Sequence, residues 1–416
     1  MTEPIVLARA IHLAATVLAA GTVAFTVLVA EPAFSRARPL AAFRRRMNIL
    51  TWLALAVAVA SGATWLALLA ADIYGAPVIA VCLHGGLWAV LTGTQFGAAW
   101  SARLLVAVLL ALLLLLSPAL RWLQLAAAAA FIAPIALSGH AGATPGAEGE
   151  VHLASDMLHL AAAGLWLGAL PALAMLLVSP RQPKGLAARA AARFSAAGIV
   201  AVAVILATGI VNSWMLLAGP YDLIATSYGR LLFLKIGLFV AMVGIAAVNR
   251  FHLTPRLPAA QARRALMRNS LAETALGAGV LLLVGALGAM SPTAHKHFET
   301  ADVPADAAFV HIHTEEAMAE VTIEPGRPGP AAASIRVMHE DSSQYATNDV
   351  RLELEPPSPA FPLVRRSAVL QSDGTWRVDG LNLPQPGNWT VRVTIAPEKG
   401  KPIVLDAPIV IEPPNR

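Results

Sequence analysis

Three imidazoles and a carboxylate gather in the stretch SGHAGATPGAEGEVHLASDMLHLAAAGLWLG, as His140, His152, His159 and Asp156. Imidazole suits copper, zinc, iron and nickel, and it titrates near neutrality, so such a set can hold a transition metal or move protons. Helix geometry limits how these groups share an ion. His152 and His159 lie seven residues apart, about 10.5 Å of helix rise, too far for both to bond one metal. Asp156 and His159 are at i and i+3 on one face, where a carboxylate orients an imidazole or joins it as a ligand. A metal site here needs histidines from more than one segment, and His12, in the turn IHLAA near the N-terminus, is a further candidate.

The elements that must position these groups belong in lipid. Hydrophobic residues make up 57% of the chain and charged ones 13%, which points to an integral membrane protein. Apolar runs predict eight spans, at about 5–30, 47–71, 104–117, 120–138, 151–178, 194–217, 231–248 and 271–290. The first lacks a basic leader and a small-residue cleavage site, so it reads as a retained span. Residues 78–90, with His84, are too short to cross and are expected outside the membrane core. Arginine and lysine collect in the loops after spans one, five and seven, for example Arg44 to Arg46, Arg189, Arg193 and Arg263. Cytoplasmic loops attract such residues, so those loops are expected inside and both termini outside. The single Cys82 excludes an internal disulfide and any cysteine-rich metal site.

The second half of this region repeats the first. HLAA at His12 recurs at His159, and SGATWLALLA at Ser61 recurs as TGIVNSWMLLAG at Thr208, both 147 residues on. TQFGAAWSAR ending at Arg103 recurs as TSYGRLLFLK ending at Lys235, 132 residues on. Four spans per copy give a parallel 4+4 repeat about an axis along the membrane normal. Spans four and eight then end near His140 and near His295 and His297, so His12, His140 and His159 are expected at one outer depth. Arg103 and Lys235 are expected to snorkel to the interface, and Glu273 and Asn212 to join helices by hydrogen bonds or to serve a site.

Beyond the membrane region (1–292) and a linker (293–300), residues 301–416 carry 16 acidic and 10 basic side chains. Short alternating runs such as AEVTIEP, DVRLELEP and NWTVRVTIAP predict an all-β sandwich of about seven strands on the outer side. It adds His311, His313 and Met318, with Met338 and His339, as candidate metal ligands; His311 and His313 share one strand face.

The runs SGHA, SDMLHLAAAGLWLGAL, RFSAAG, ATGIVNSW, TSYGRLLFLKIGLF and NRFHLTPRL, in that order, resemble the copper resistance protein D family of bacterial inner-membrane proteins. The tail, FVHIHTEEAMAEVTIEPGRPGPAAASIRV, is similar to the YtkA-like β-sandwich domains fused to such proteins. The first resemblance implies copper, as Cu(I) or Cu(II), moved across or accepted at the inner membrane, with a periplasmic CopC-type chaperone or cuproprotein as partner. It places the family's membrane histidines on His140 and His159, with Asp156 alongside; His12 follows from the repeat. No nucleic-acid role is expected. Neither G-x-S-x-G, H-E-x-x-H nor a P-loop occurs, so no enzyme is expected either. Two other readings stand beside transport: a copper-binding assembly partner that moves no metal, and a b-type haem protein carrying electrons between facing histidines.

Overall fold

A computed structural model of the protein describes residues 3–34, 37–116, 118–139, 146–179, 183, 185–217, 219–257, 259–290, 292, 304, 306–314, 317–339, 343–357, 361–397 and 402–413. The chain divides into two compact units, Met1–Ala294 and His295–Arg416.

The first unit holds eight helices long and apolar enough to cross a membrane: α1 (Glu3–Ala33), α2 (Pro39–Tyr74), α3 (Phe96–Leu116), α4 (Arg121–Ser138), α5 (Ala147–Val178), α6 (Leu186–Leu216), α7 (Ser227–Arg256) and α8 (Ala260–Leu287). Residues 78–90 fall in two short helices, Val78–Leu83 and Gly86–Gly93, neither long enough to span. The third span begins earlier than expected, at Phe96 rather than residue 104, because Arg103 is not at its boundary. That arginine lies inside the helix with 1% of its surface exposed. α1 is the most enclosed helix, lined by alanine, glycine, threonine and valine that let neighbours approach closely.

Two hydrogen-bonding positions repeat between the halves. Ser61 Oγ donates to the carbonyls of Val57 (2.6 Å) and Ala58 (3.2 Å). Its counterpart Thr208 Oγ1 donates to those of Val204 (2.6 Å) and Ile205 (3.3 Å). Thr94 caps α3 by accepting from Gly97 N at 3.0 Å, as Thr226 caps α7 by accepting from Gly229 N at 2.9 Å. The halves meet where α1 crosses α5. A Cβ on Gly21 would overlap the backbone of Gly168, and one on Gly168 would overlap the carbonyl of Val17. Gly21 and Gly168 are themselves repeat equivalents, 147 residues apart. Equivalent residues that touch must flank the pseudo-two-fold axis, so the crossing marks it.

The second unit is a two-sheet β-sandwich. One sheet has the order β1-β2-β3-β7-β6 and the other β5-β4-β8-β9. The strands are β1 (Ala308–His313), β2 (Met318–Glu324), β3 (Gly329–Met338), β4 (Thr347–Glu355), β5 (Val364–Ser367), β6 (Val369–Leu370), β7 (Trp376–Leu383), β8 (Gly387–Pro397) and β9 (Ile403–Ile411). Nine strands are thus described where about seven were expected. β5 and β6, of four and two residues, are too short to carry an alternating pattern. Alternate residues face inward to one core, including Val321, Ile335, Leu352, Val393 and Trp389. Trp389 is 1% exposed, and its indole N–H donates to the Gln385 carbonyl at 3.1 Å. Trp389→Ala is expected to cost this unit about 3–5 kcal/mol. Faster proteolysis of strands β1 to β9 in the full-length protein would report it, and wild-type resistance would count against this core.

Candidate metal site

Each half of the membrane region places one histidine against the other helices of its half, but the two are used differently. In the first half the His12 ring is wholly enclosed. Its Nδ1 lies 2.8 Å from the Ala58 carbonyl, so this nitrogen carries the proton. Its Nε2 lies 2.6 Å from Arg103 Nη1 and accepts from it. Arg103 also donates through Nε to the Phe131 carbonyl (3.3 Å) and through Nη2 to Thr16 Oγ1 (3.4 Å), with its guanidinium 5.6 Å from the Trp100 ring centre. Both nitrogens of His12 are therefore committed, and a fixed cation stands where a metal would bind. Arg103 does not snorkel: a guanidinium with five donors finds more partners inside this bundle than at its edge.

In the second half His159 on α5 is oriented but not closed off. Its Nδ1 lies 2.9 Å from Thr208 Oγ1, whose own proton goes to the Val204 carbonyl. The hydroxyl can then only accept, so Nδ1 is the protonated nitrogen and Nε2 keeps its lone pair. A hydrogen bond at one ring nitrogen that fixes the tautomer is what a ligating imidazole requires of its surroundings. One turn before it, Asp156 Oδ1 accepts from Asn212 Nδ2 at 3.1 Å. Lys235, His152 and Arg9 are the charged or titratable neighbours of that carboxylate, and Lys235 is also a neighbour of His159. Lys235, the repeat equivalent of Arg103, is half-buried. His152 is buried, two turns before His159.

Asp156 and His159 thus share one face of α5 with His152 two turns earlier, while His12 is held by its own half. His140 lies outside the described residues, as do His295 and His297. Among the described residues no three His, Cys, Asp or Glu side chains converge closely enough to hold a metal ion. Arg9 and Tyr228, which also neighbour Asp156, were not singled out from the sequence. The repeat could have found Arg9, because residue 9 is the equivalent of residue 156. Arg9 reaches across the bundle, donating to the Gly288 carbonyl at 2.6 Å with its guanidinium 5.1 Å from the Trp65 ring centre.

In the sandwich, register aligns the candidates in rows on the sheet face turned away from the core. His313, Met318 and Met338 are successive cross-strand partners on β1, β2 and β3. The His313 side chain lies outside the described residues. Met318 and Met338 are 5% and 7% exposed although neither belongs to the core between the sheets. The next row is His311, Glu320 and Arg336. Glu320 pairs with both, at 3.6 Å from His311 Nδ1 and 3.4 Å from Arg336 Nη1. His339 stacks on Tyr345, ring centres 4.4 Å apart.

Residues 188–287 match the family described as copper resistance protein D, and residues 1–150 match the copper resistance protein D-like N-terminal domain. Copper resistance protein D of Pseudomonas syringae pv. tomato is 34% identical over 224 residues, 49% of this chain and 70% of that protein. Inner membrane protein YebZ of Escherichia coli (strain K12) is 32% identical over 211 residues, 50% of this chain and 72% of that protein. Copper transport protein CutJ of Bacillus subtilis (strain 168) is 28% identical over 317 residues, 72% of this chain, which spans only 56% of CutJ. With eight apolar helices and two thirds or more of two such relatives covered, this chain is a multi-pass membrane protein that belongs to the copper resistance protein D family.

Proposed function

We propose that this protein binds copper in the second half of its membrane region and moves it across the bacterial plasma membrane. The observation that carries the reading is His159, an imidazole with one nitrogen anchored by Thr208 and the other available, one helical turn from Asp156. A buried polar group in a membrane helix is costly and is by default functional, and this one sits in a family named for copper resistance. Asp156 supplies the next donor on the same helix, His152 lies two turns nearer the mouth, and His140 is the candidate from the preceding span. His12, locked by Arg103, acts in this proposal as the structural counterpart of His159.

Both termini and the sandwich (301–416) face outward in this scheme, with the arginine-rich loops inside. Copper arrives from a periplasmic chaperone of the CopC type or another cuproprotein. The His313, Met318 and Met338 row, beside His311, collects it, since thioether and imidazole donors suit Cu(I). No ATP-binding loop occurs in the sequence, so movement follows the copper gradient or is coupled to another ion. X-ray absorption at the copper edge of the loaded full-length protein tests the assignment. The reading predicts a nitrogen and oxygen shell that persists when Met318 and Met338 are replaced by leucine. A spectrum that loses all bound copper with those two sulfurs would overturn the membrane site.

A further inference from the structure

Away from the histidines, in the half of the bundle where α7 ends and α8 begins, a carboxyl group stands almost alone. Glu273 on α8 is 1% exposed. Its Oε1 accepts from Asn249 Nδ2 at 2.6 Å, and Asn249 Oδ1 in turn accepts from Asn269 Nδ2 at 2.7 Å. Asn249 opens a π-helical turn, Asn249–Leu253, which widens α7 and frees backbone groups near the site. Thr254 Oγ1 takes up the Asn249 carbonyl at 2.8 Å.

Glu273 and Asn249 line a cavity of about 370 Å³ whose other walls are largely apolar, among them Trp166, Phe194, Ile199 and Val243. Arg250 and Ser195 line the same cavity, but among the described residues no charged group on the surrounding elements bonds the carboxylate. Arg250 donates to Ser195 Oγ at 2.7 Å, Arg193 donates to the Leu28 carbonyl, and Glu31 holds Arg44 and Arg121. His252 and Arg268 are exposed. Among the described residues no cation forms an ion pair with Glu273. An ionised carboxylate with a single amide donor is among the costliest groups to hold in such a place, and a bound proton removes the charge. The ligand chemistry of the site is hard oxygen and amide, which suits a proton and not copper.

We propose that Glu273 is an exchangeable proton site, and that its proton is the coupling ion for copper movement. On loading, Oε2 takes a proton from a hydronium ion entering the cavity, which leaves as water. On release the O–H bond breaks, the proton passes to a water molecule that leaves as hydronium, the electron pair stays on the carboxylate, and the Asn249 amide keeps its bond to Oε1 in both states. One proton leaving as one Cu(I) enters conserves charge across the membrane. The coupling rests on the copper-transport reading, whereas the proton site does not.

Dicyclohexylcarbodiimide tests the site, because it takes the acid proton on its nitrogen while the carboxyl oxygen adds to its central carbon. The full-length protein is expected to be labelled at Glu273, with the rate falling about tenfold per pH unit once the carboxyl ionises. Glu273→Gln abolishes that adduct and Glu273→Asp retains it. An adduct absent from Glu273 at every pH, or formed at a rate independent of pH, overturns the site. In proteoliposomes a pH gradient is expected to speed copper movement at least severalfold in the wild type and to leave Glu273→Gln unaffected. If wild-type protein moves copper with no response to the gradient, the coupling is wrong. If it moves no copper at all, the transport reading fails and labelling alone decides the proton site.

Discussion

Replacing His159 with alanine is expected to remove the copper bound by the membrane region, whereas His12→Ala leaves that copper in place. The two residues are equivalents in the repeat, so composition and depth do not separate them. Their partners do. His12 spends Nδ1 on Ala58 and Nε2 on Arg103, and the guanidinium repels any cation approaching that ring. His159 spends only Nδ1, on Thr208. Loss of a group that merely orients a ligand typically costs 10–100-fold in metal affinity, so loss of the ligand itself is expected to weaken binding by about a hundredfold or more. Equilibrium dialysis of copper against both variants reads this directly. His12→Ala should instead lower thermal stability, because it leaves the buried Arg103 guanidinium without its closest acceptor. Equal copper loss in both variants would mean that one shared site joins the halves.

Gly168→Ala is expected to prevent the membrane region from assembling. The added Cβ would overlap the Val17 carbonyl, a backbone atom that cannot move aside as a side-chain tip does. Ordinary overpacking costs about 1–3 kcal/mol, and a clash with backbone at the crossing of two central helices exceeds that range. Gly21→Ala should behave alike, since its Cβ would overlap Gly168 from the other side. Gly237→Ala is the control: nothing lies within 4 Å of the position its Cβ would take, and alanine is the better helix former. Yield and monodispersity after detergent extraction should collapse for the first two variants and match wild type for the third. A well-behaved Gly168→Ala protein would show that α1 and α5 do not cross as described.

Much of the membrane region was legible because lipid imposes one requirement, a long apolar helix, that composition reports directly. The repeat was legible too, and the paired bonds of Ser61 and Thr208 give it physical content. The snorkelling expected of Arg103 fails for a physical reason: a charge at the edge of an apolar run looks like a boundary, and the His12, Phe131 and Thr16 acceptors are what offset its burial. The difference between His12 and His159 was not legible at all. It depends on whether the cation 91 or 76 residues further along the chain hydrogen-bonds the imidazole, as Arg103 does His12, and spacing alone does not report that. In the sandwich, the long strands announced themselves by alternation, while β5 and β6 exist through pairing with β4 and β7 and carry little pattern of their own.

Copper is expected to cross the membrane by way of the second half. Sealed proteoliposomes containing the full-length protein, supplied with copper outside and a copper-responsive probe inside, measure this most directly. Probe signal is expected to rise with time for the wild type and for His12→Ala, and to fall to the level of empty liposomes for His159→Ala. Wild-type vesicles that fill no faster than empty ones, or His159→Ala vesicles that fill as fast as wild type, would contradict it.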